Sequence, residues 1–368
     1  MNVQREEEQM VAFVPLFYRK GNKLNWSEYS KVIREEYKKR GIPFAATFEL
    51  TPYCNFDCNM CYIHLSPEEA KIQGNLLTTN QWLHIAREAK ECGAIALEIT
   101  GGEATVRPDF PLLYEAFIRM GYLINLRTNG YLIKGELLDL LRNLKPKGVS
   151  ITLYGASDET YRKICGIADG FSVVTNNILA LRSIGIEPTL TVTMTKDNVG
   201  DKEEIKNWAI KNGFNIHFFG GLFTPIRSAK RSIKHLRLDY GINEDRESAI
   251  PLREIADREK YSTPFWMCRG FGTKFCVSWD GRMTLCNCFP AIWSDPMSMG
   301  VRDAYKSLYK QLSELKRPAE CSKCQYVDYC SACPAYLLSD TGDPEKTCDS
   351  ICSMARENYR QYLNNTLQ

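Results

Sequence analysis

Residues 45–65 read AATFELTPYCNFDCNMCYIHL, a β-branched run that leads into three cysteines, Cys54, Cys58 and Cys61. The segment AATFELT (45–51) predicts a strand, which sets the C-x3-C-x2-C loop at that strand's C-terminal end. Iron–sulfur clusters are usually held by four thiolates. Three cysteines packed into residues 54–61 can fold around three corners of a cubic cluster. The fourth iron is then open to the amino and carboxylate groups of a cofactor. A structural zinc site instead closes with four ligands, and His64 is the one residue at such a spacing. A zinc knuckle and buried structural thiols are the alternatives.

Strand and helix signals alternate outward from this loop. TTNQWLHIAREAKECG predicts a helix from a threonine cap to Gly93. AIALEIT (94–100) predicts the next strand, and another helix follows Pro108. YLINLRTNG, GVSITLYG, PTLTVTM and FNIHFFGG predict four more strands, with helical KGELLDLLRNL and DGFSVVTNNILALRSIG among them. The fold class is therefore α/β. Repeated β–α units with near-continuous apolar strands imply a parallel sheet with helices outside. Six readable strands predict a partial (β/α)6 barrel rather than a full one. Sites in such sheets gather at the strands' C-terminal ends.

The chain has 368 residues, 44% hydrophobic and 25% charged, an ordinary globular composition long enough for about two domains. A formal charge of +3 gives no ground for a nucleic-acid partner. Arg227, Lys230, Arg231 and Lys234 form a local basic group that reads as solvated surface. No apolar run approaches the roughly 20 residues that span a bilayer. The opening MNVQREEEQM is acidic where an export signal is basic. A cytoplasmic protein without membrane contact is expected, and in that reducing compartment the 15 cysteines point to metal or cluster ligation rather than disulfides. Ten of them run from Cys268 to Cys352, whereas Cys92 and Cys165 stand alone and read as packing residues. The expected divisions are a helical extension (1–43), a barrel (44–230), a polar linker (231–264) and a cysteine-rich domain with a C-terminal helix (265–368).

CNFDCNMCY (54–62), with Tyr62 after the last cysteine, resembles the signature loop of radical S-adenosylmethionine (SAM) enzymes. The resemblance runs from about residue 45 to residue 355. It implies a 4Fe–4S cluster on Cys54, Cys58 and Cys61 that reduces SAM to methionine and a 5′-deoxyadenosyl radical, which abstracts a substrate hydrogen. It also implies that Gly101, Gly102 and Glu103, ending the second strand, contact the methionyl amino group. Thr128-Asn129-Gly130 ends the third strand, where the family places ribose contacts, here Asn129. ITLYGASDETYR resembles the segment that binds the cofactor carboxylate, which carries over to Thr152 and Arg162 with Ser150 beside them.

The later cysteines read C268-x7-C276-x9-C286-N-C288, C321-x2-C324-x5-C330-x2-C333 and C348-x3-C352, with Asp280-Gly281 as a hairpin turn. By spacing alone the C321–C333 run suits zinc as well as iron–sulfur. The region resembles the SPASM extension of radical SAM enzymes, which implies two auxiliary 4Fe–4S clusters and three in all. The first would use Cys268, Cys286 and Cys333, its fourth position being Cys276 or left open. The second would use Cys321, Cys324, Cys330 and either Cys352, the better fit, or Cys348. The C330-S-A-C333 spacing is one residue shorter than the usual pattern.

SPASM enzymes commonly act on peptides, so oxidative modification of a peptide (crosslinking, oxidation or epimerisation) is the leading expectation. A radical SAM dehydrogenase or rearrangement enzyme for a small metabolite is the alternative. A non-catalytic zinc-binding interaction protein is the alternative of another class. An external one-electron reductant of the flavodoxin or ferredoxin type is implied. Relatives that mature sulfatases carry an aspartate base after the second hairpin cysteine; here Asn287 stands there and offers no carboxylate. About 43 residues precede the first strand, too few for the recognition domain of many peptide-modifying relatives. A peptide would then need a separate recognition protein or direct binding in the barrel. KLNWSEYSKVIREEYKKRG predicts one amphipathic helix with Trp26, Tyr29, Val32 and Ile33 on its apolar side, packed on the barrel. Tyr62, Tyr154 and Cys276 are candidates for catalytic roles by location.

Overall fold

The computed structural model describes residues 26–225, 233–238, 264–265, 268, 270–330 and 332–366, and of 26–31 and 365–366 the backbone alone. The helices are α1 (Trp26–Arg40), α2 (Pro67–Gln73), α3 (Thr79–Glu91), α4 (Phe110–Arg119), α5 (Gly135–Asn143) and α6 (Asp158–Cys165), then α7 (Gly170–Ser183), α8 (Lys202–Lys211), α9 (Pro296–Met299), α10 (Val301–Glu314), α11 (Pro334–Thr341) and α12 (Asp349–Thr366). The strands are β1 (Ala45–Glu49), β2 (Ala96–Thr100), β3 (Leu123–Thr128), β4 (Gly148–Leu153), β5 (Thr189–Thr193), β6 (Ile216–Phe219), β7 (Lys274–Val277) and β8 (Met283–Thr284).

All six expected parallel strands form, and the sheet is longer by two. Its order is β6-β5-β4-β3-β2-β1-β7-β8. β7 pairs parallel with β1, Ala45 opposite Lys274, and β8 turns back antiparallel. The Asp280-Gly281 turn that joins them needs glycine, since Gly281 has φ 89°. The hairpin that bears Cys276 and leads to Cys286 and Cys288 is thus an extension of the barrel sheet.

The strands alternate rather than running apolar throughout. One face carries Phe48, Ile99, Leu126, Ile151 and Val192, all buried. Phe48 packs on Trp82 and Phe117 of the outer helices at ring-centroid distances of 5.1 and 5.6 Å. Each such side chain contributes about 1.5–3 kcal/mol on burial. The other face is polar, with Thr47, Glu49, Glu98, Arg127, Ser150, Thr152 and Thr191. Near-continuous apolar strands belong to sheets whose two faces are both packed; here the inner face lines a lumen.

Helix starts follow local chemistry. Thr78 caps α3, its hydroxyl accepting from Gln81 N while the Gln81 side chain returns to the Thr78 N–H. In α1, Ile33 is buried but Val32 is 52% exposed. Neighbours on a helix point about 100° apart, so the apolar stripe takes in only one of them. The side chains of Trp26 and Tyr29 lie outside the described residues, as do Arg227, Lys230, Arg231 and most of the expected linker. Among the described residues, no single helix is long and apolar enough to cross a membrane.

Candidate active site

The loop after β1 is pinned on both sides. Asp57 N and Asn59 N donate to the carbonyls of Cys165 and Ile164 at the end of α6, each at 2.9 Å. Asn59 Nδ2 donates to Asp197 Oδ2 at 2.8 Å, and Lys163 pairs with the same carboxylate. Backbone N–H groups point at two sulfurs: Phe56 N to Cys54 Sγ and His64 N to Cys61 Sγ, both 3.3 Å. Such donors favour the thiolate form that ligates metal. Burial pushes the Cys54 thiol far up, with Glu103 and its two sister cysteines adding to the shift. Cys58 is raised first by the hydrogen bond it shares with Cys165 and then by burial. Buried thiols of this kind stay protonated until a cationic metal centre takes the proton's place. This donor set fits an iron–sulfur cluster. Cys165, which reads as a packing residue in sequence, stands directly beside Cys58. Tyr154, half-buried, stands among Cys58, Cys165, Cys54 and Cys61.

Gly101 and Gly102 let the β2 exit press against the entry to this loop. A Cβ on Gly102 would lie 2.3 Å from Tyr53 O, and one on Gly101 would lie 2.7 Å from Thr51 O. Gly102 N and Glu103 N donate to those same two carbonyls at 2.7 and 2.8 Å. Gly102→Ala is therefore expected to lower stability by about 1–3 kcal/mol as an overpacking change, read as a fall in the thermal midpoint. The Glu103 carboxylate is 1% exposed. Its Oε1 accepts from Thr105 N (3.1 Å), Thr105 Oγ1 (2.6 Å) and Thr128 Oγ1 (2.9 Å), and its Oε2 from Asn129 N (2.7 Å). Burial raises its pKa against these bonds. A carboxylate has about four acceptor sites, and one on Oε2 is left for a further donor. Asn129 Nδ2 donates to Asn55 Oδ1 at 2.8 Å and approaches Cys54 Sγ at 3.8 Å, so Asn129 braces the cysteine loop.

On the inner face of β4, Thr152 Oγ1 meets Thr191 Oγ1 at 3.3 Å, and Ser150 Oγ accepts from Asn125 Nδ2 at 3.4 Å. Arg162 is exposed on α6, donating to Ala168 O at 3.3 Å. Deeper in the lumen Glu98 pairs with Arg127 at 2.8 Å and Lys274 at 3.7 Å, and accepts from Thr47. Tyr62, half-buried, stands near Cys288, Glu49, Cys61 and Arg127. Asn287 Nδ2 donates to Glu49 Oε2 at 2.8 Å, and Cys276 Sγ donates to Asn287 Oδ1 at 3.4 Å. Glu49, Cys288 and Cys165 are the neighbours that sequence reading did not find. Glu49 ends an unremarkable strand, and only the period-2 alternation of AATFE hints that it faces inward.

The later cysteines fall into two groups, and none of the 15 forms a disulfide. Cys286 is pushed up to about 12 by burial, then by the charges of Cys333 and Cys268. Burial, Cys286 and Cys333 raise Cys288 likewise. Cys321, Cys324, Cys330, Cys348 and Cys352 line a separate cavity of about 190 Å³, several times the roughly 30 Å³ share of one water. Cys330 is raised to about 11, first by burial. Cys348 Sγ lies 3.2 Å from Ser350 Oγ, which donates to Asp340, itself paired with Arg237 at 2.6 Å. Among the described residues, no three His, Cys, Asp or Glu side chains converge tightly enough for a single metal ion. Thiols spread around a roomy cavity suit a multi-iron cluster better than a closed zinc site.

Comparison with known proteins agrees with this geometry. Residues 48–225 match the family model described as the radical SAM superfamily. The subtilosin biosynthesis protein AlbA of Bacillus subtilis is 24% identical over 336 residues, spanning 86% of this chain and 72% of AlbA. An AdoMet-dependent heme synthase of Methanosarcina barkeri is 25% identical over 334 residues, 82% of this chain and 94% of that protein. Streptococcus suis SuiB bound to S-adenosylmethionine superposes with TM-score 0.64 at 17% identity, covering 95% of this chain and 87% of SuiB, a likeness of fold. A structure of SuiB with its precursor peptide SuiA gives the same TM-score. The chain belongs to the radical SAM superfamily in its SPASM branch, an enzyme whose cofactors are S-adenosylmethionine and 4Fe–4S clusters.

Proposed function

We propose that this enzyme oxidatively modifies a peptide, by crosslinking, oxidation or epimerisation. The observation that carries the reading is the joining of β7 to β1, which sets Cys276 opposite Thr47 and brings Asn287, between Cys286 and Cys288, onto Glu49 at the end of the strand that leads into the first loop. With its clusters bound, the protein supplies reductive cleavage of SAM to a 5′-deoxyadenosyl radical and acceptors for an electron from the substrate. Cys54, Cys58 and Cys61 would hold the first cluster. The Gly101–Glu103 segment, Asn129, Ser150, Thr152 and Arg162 would orient the cofactor, of which Glu103 and Asn129 also brace the loop. Thr47, Glu98, Arg127 and Lys274 make the lumen polar and suited to a backbone or polar side chain. AlbA's place in bacteriocin biosynthesis and SuiB's complex with a precursor peptide support a peptide substrate.

Asn287 donates to Glu49, and its amide has no proton-accepting carboxylate, which speaks against sulfatase-type chemistry. A reductant of the flavodoxin or ferredoxin type and a cytoplasmic setting complete the reading. Similarity to the heme synthase over most of its length supports a small-molecule substrate as the second reading. Anaerobic incubation with SAM, reductant and short peptides encoded beside the gene, followed by mass spectrometry, tests the choice. Oxidation or crosslinking removes one hydrogen atom to 5′-deoxyadenosine and a second as a proton and an electron, so the peptide loses two hydrogens. Epimerisation leaves the mass unchanged and is read by chiral amino-acid analysis. Deoxyadenosine release without change in any such peptide would favour the small molecule.

A further inference from the structure

Around Arg127 the inner face of the barrel holds more positive than negative charge. Arg127 stands on β3, opposite Ser150 of β4. Its neighbours along the strand, Leu126 and Thr128, are buried on the other face, so its side chain projects into the lumen. Glu98 faces the same way from β2, opposite Thr47 of β1 and Asn125 of β3. Arg127 is therefore one side-chain layer nearer the strands' C-terminal ends than Glu98. Lys274 of β7 is level with Ala45, one layer further from those ends. Glu98 thus lies between two cations and divides its carboxylate between them. Its Oε2 pairs with Arg127 Nε at 2.8 Å and its Oε1 with Lys274 Nζ at 3.7 Å, while Thr47 Oγ1 donates to Oε1 at 3.4 Å. Two positive charges meet one negative one. Beyond that pair, Arg127 has no carboxylate and no hydrogen-bond partner among the described residues. Its side chain is 57% exposed against 23% for Glu98, so the Nη1–Nη2 edge opens on the lumen. Glu49 is at the same level as Arg127 and accepts from Asn287 Nδ2 at 2.8 Å.

We propose that Arg127 is a substrate-binding residue whose Nη1 and Nη2 groups take a carboxylate of the substrate in a two-point contact. A guanidinium presents paired N–H donors that match the two oxygens of a carboxylate. The excess of one positive charge suits a monoanion, whereas a dianionic phosphate would leave a charge unmatched. Glu98 positions the fork by holding Nε, and Lys274 draws on Glu98 from the far side. The place fits the chemistry, since Asn129, two residues on, braces the first cysteine loop. This inference rests on the peptide reading above and narrows it: the substrate is an acidic segment, with an aspartate or glutamate beside the residue that loses hydrogen.

The test uses the full chain with its clusters reconstituted anaerobically and SAM bound, and reads the thermal midpoint with millimolar probes. A ligand that binds only the folded state raises that midpoint. The probes are N-acetylated, C-amidated tripeptides centred on Glu, Asp, Gln or Asn, together with N-acetylglycine and inorganic phosphate. The Glu and Asp tripeptides are expected to raise the midpoint, and their Gln and Asn counterparts to leave it unchanged. Arg127→Gln should bind the acidic tripeptides roughly 10–100-fold more weakly, the range for a lost charged hydrogen bond. Arg127→Lys keeps the cation without the fork and should recover part of that loss. Equal shifts from acid and amide probes overturn the assignment, as does an acid shift retained in Arg127→Gln or a larger shift with phosphate. The acid–amide comparison needs only the wild-type chain, so it decides the matter even where a variant fails to fold. A shift with N-acetylglycine and with no tripeptide keeps the carboxylate site and counts against the peptide reading. No shift with any carboxylate overturns the role of Arg127 and leaves the peptide reading to the mass spectrometry above.

Discussion

Replacing Cys54, Cys58 or Cys61 with alanine is expected to abolish 5′-deoxyadenosine formation. The three thiols are the whole cysteine set that the signature loop offers. The loss should exceed the roughly 10–100-fold that removing an outer-shell partner of a metal costs, which places SAM cleavage at background. Iron should fall by about four per chain, while the signals of the later cysteines remain. Cys165→Ala is the informative control. Cys165 shares a hydrogen bond with Cys58 yet lies outside the signature loop, so its removal should leave the iron in place. Cleavage that persists in the Cys54, Cys58, Cys61 triple variant would refute the assignment of this loop.

Glu103→Ala is expected to cost about 3–5 kcal/mol of stability, because removing one side of a buried polar network strands the other. Four donors lose their acceptor at once: Thr105 N, Thr105 Oγ1, Thr128 Oγ1 and Asn129 N. The thermal midpoint should drop by roughly 10 °C, taking a few degrees per kcal/mol for a domain of this size. Glu103→Gln keeps one acceptor oxygen and should recover about half of the loss. A midpoint in Glu103→Ala within a degree of wild type would show that these donors find other partners.

How much of this was legible in sequence depended on the distance along the chain over which each feature is encoded. Cys54, Cys58 and Cys61 are specified by local spacing, and Thr78 with Gln81 by a capping pattern three residues wide. The six barrel strands follow from β-branched runs between helices. Gly101 and Gly102 were recognised, but the pressure on them comes from Thr51 and Tyr53, which no local pattern announces. Cys276 and Cys288 are alike as letters. Asn287 bonds Cys276 and also Glu49, 238 residues away along the chain, a contact that no local pattern announces. Cys165 passed for a core residue because it is one, at 0% exposure, and also a neighbour of the first loop. Strand polarity was misjudged for a physical reason. A parallel sheet that encloses a reaction chamber needs only its outer face apolar.

The pairing of β7 with β1 also bears on how the protein is made. While the chain is being synthesised, β1 is complete long before residue 274 emerges, and until then its free edge offers unsatisfied N–H and C=O groups to any passing strand. The barrel of the nascent chain is open at the place where Cys54, Cys58 and Cys61 are carried. Non-local pairing of this kind comes late in folding, since the loop-closure entropy must be met first. An interval therefore exists in which the β1 edge beside the first cysteine loop has no partner strand, and the arrival of β7 ends it.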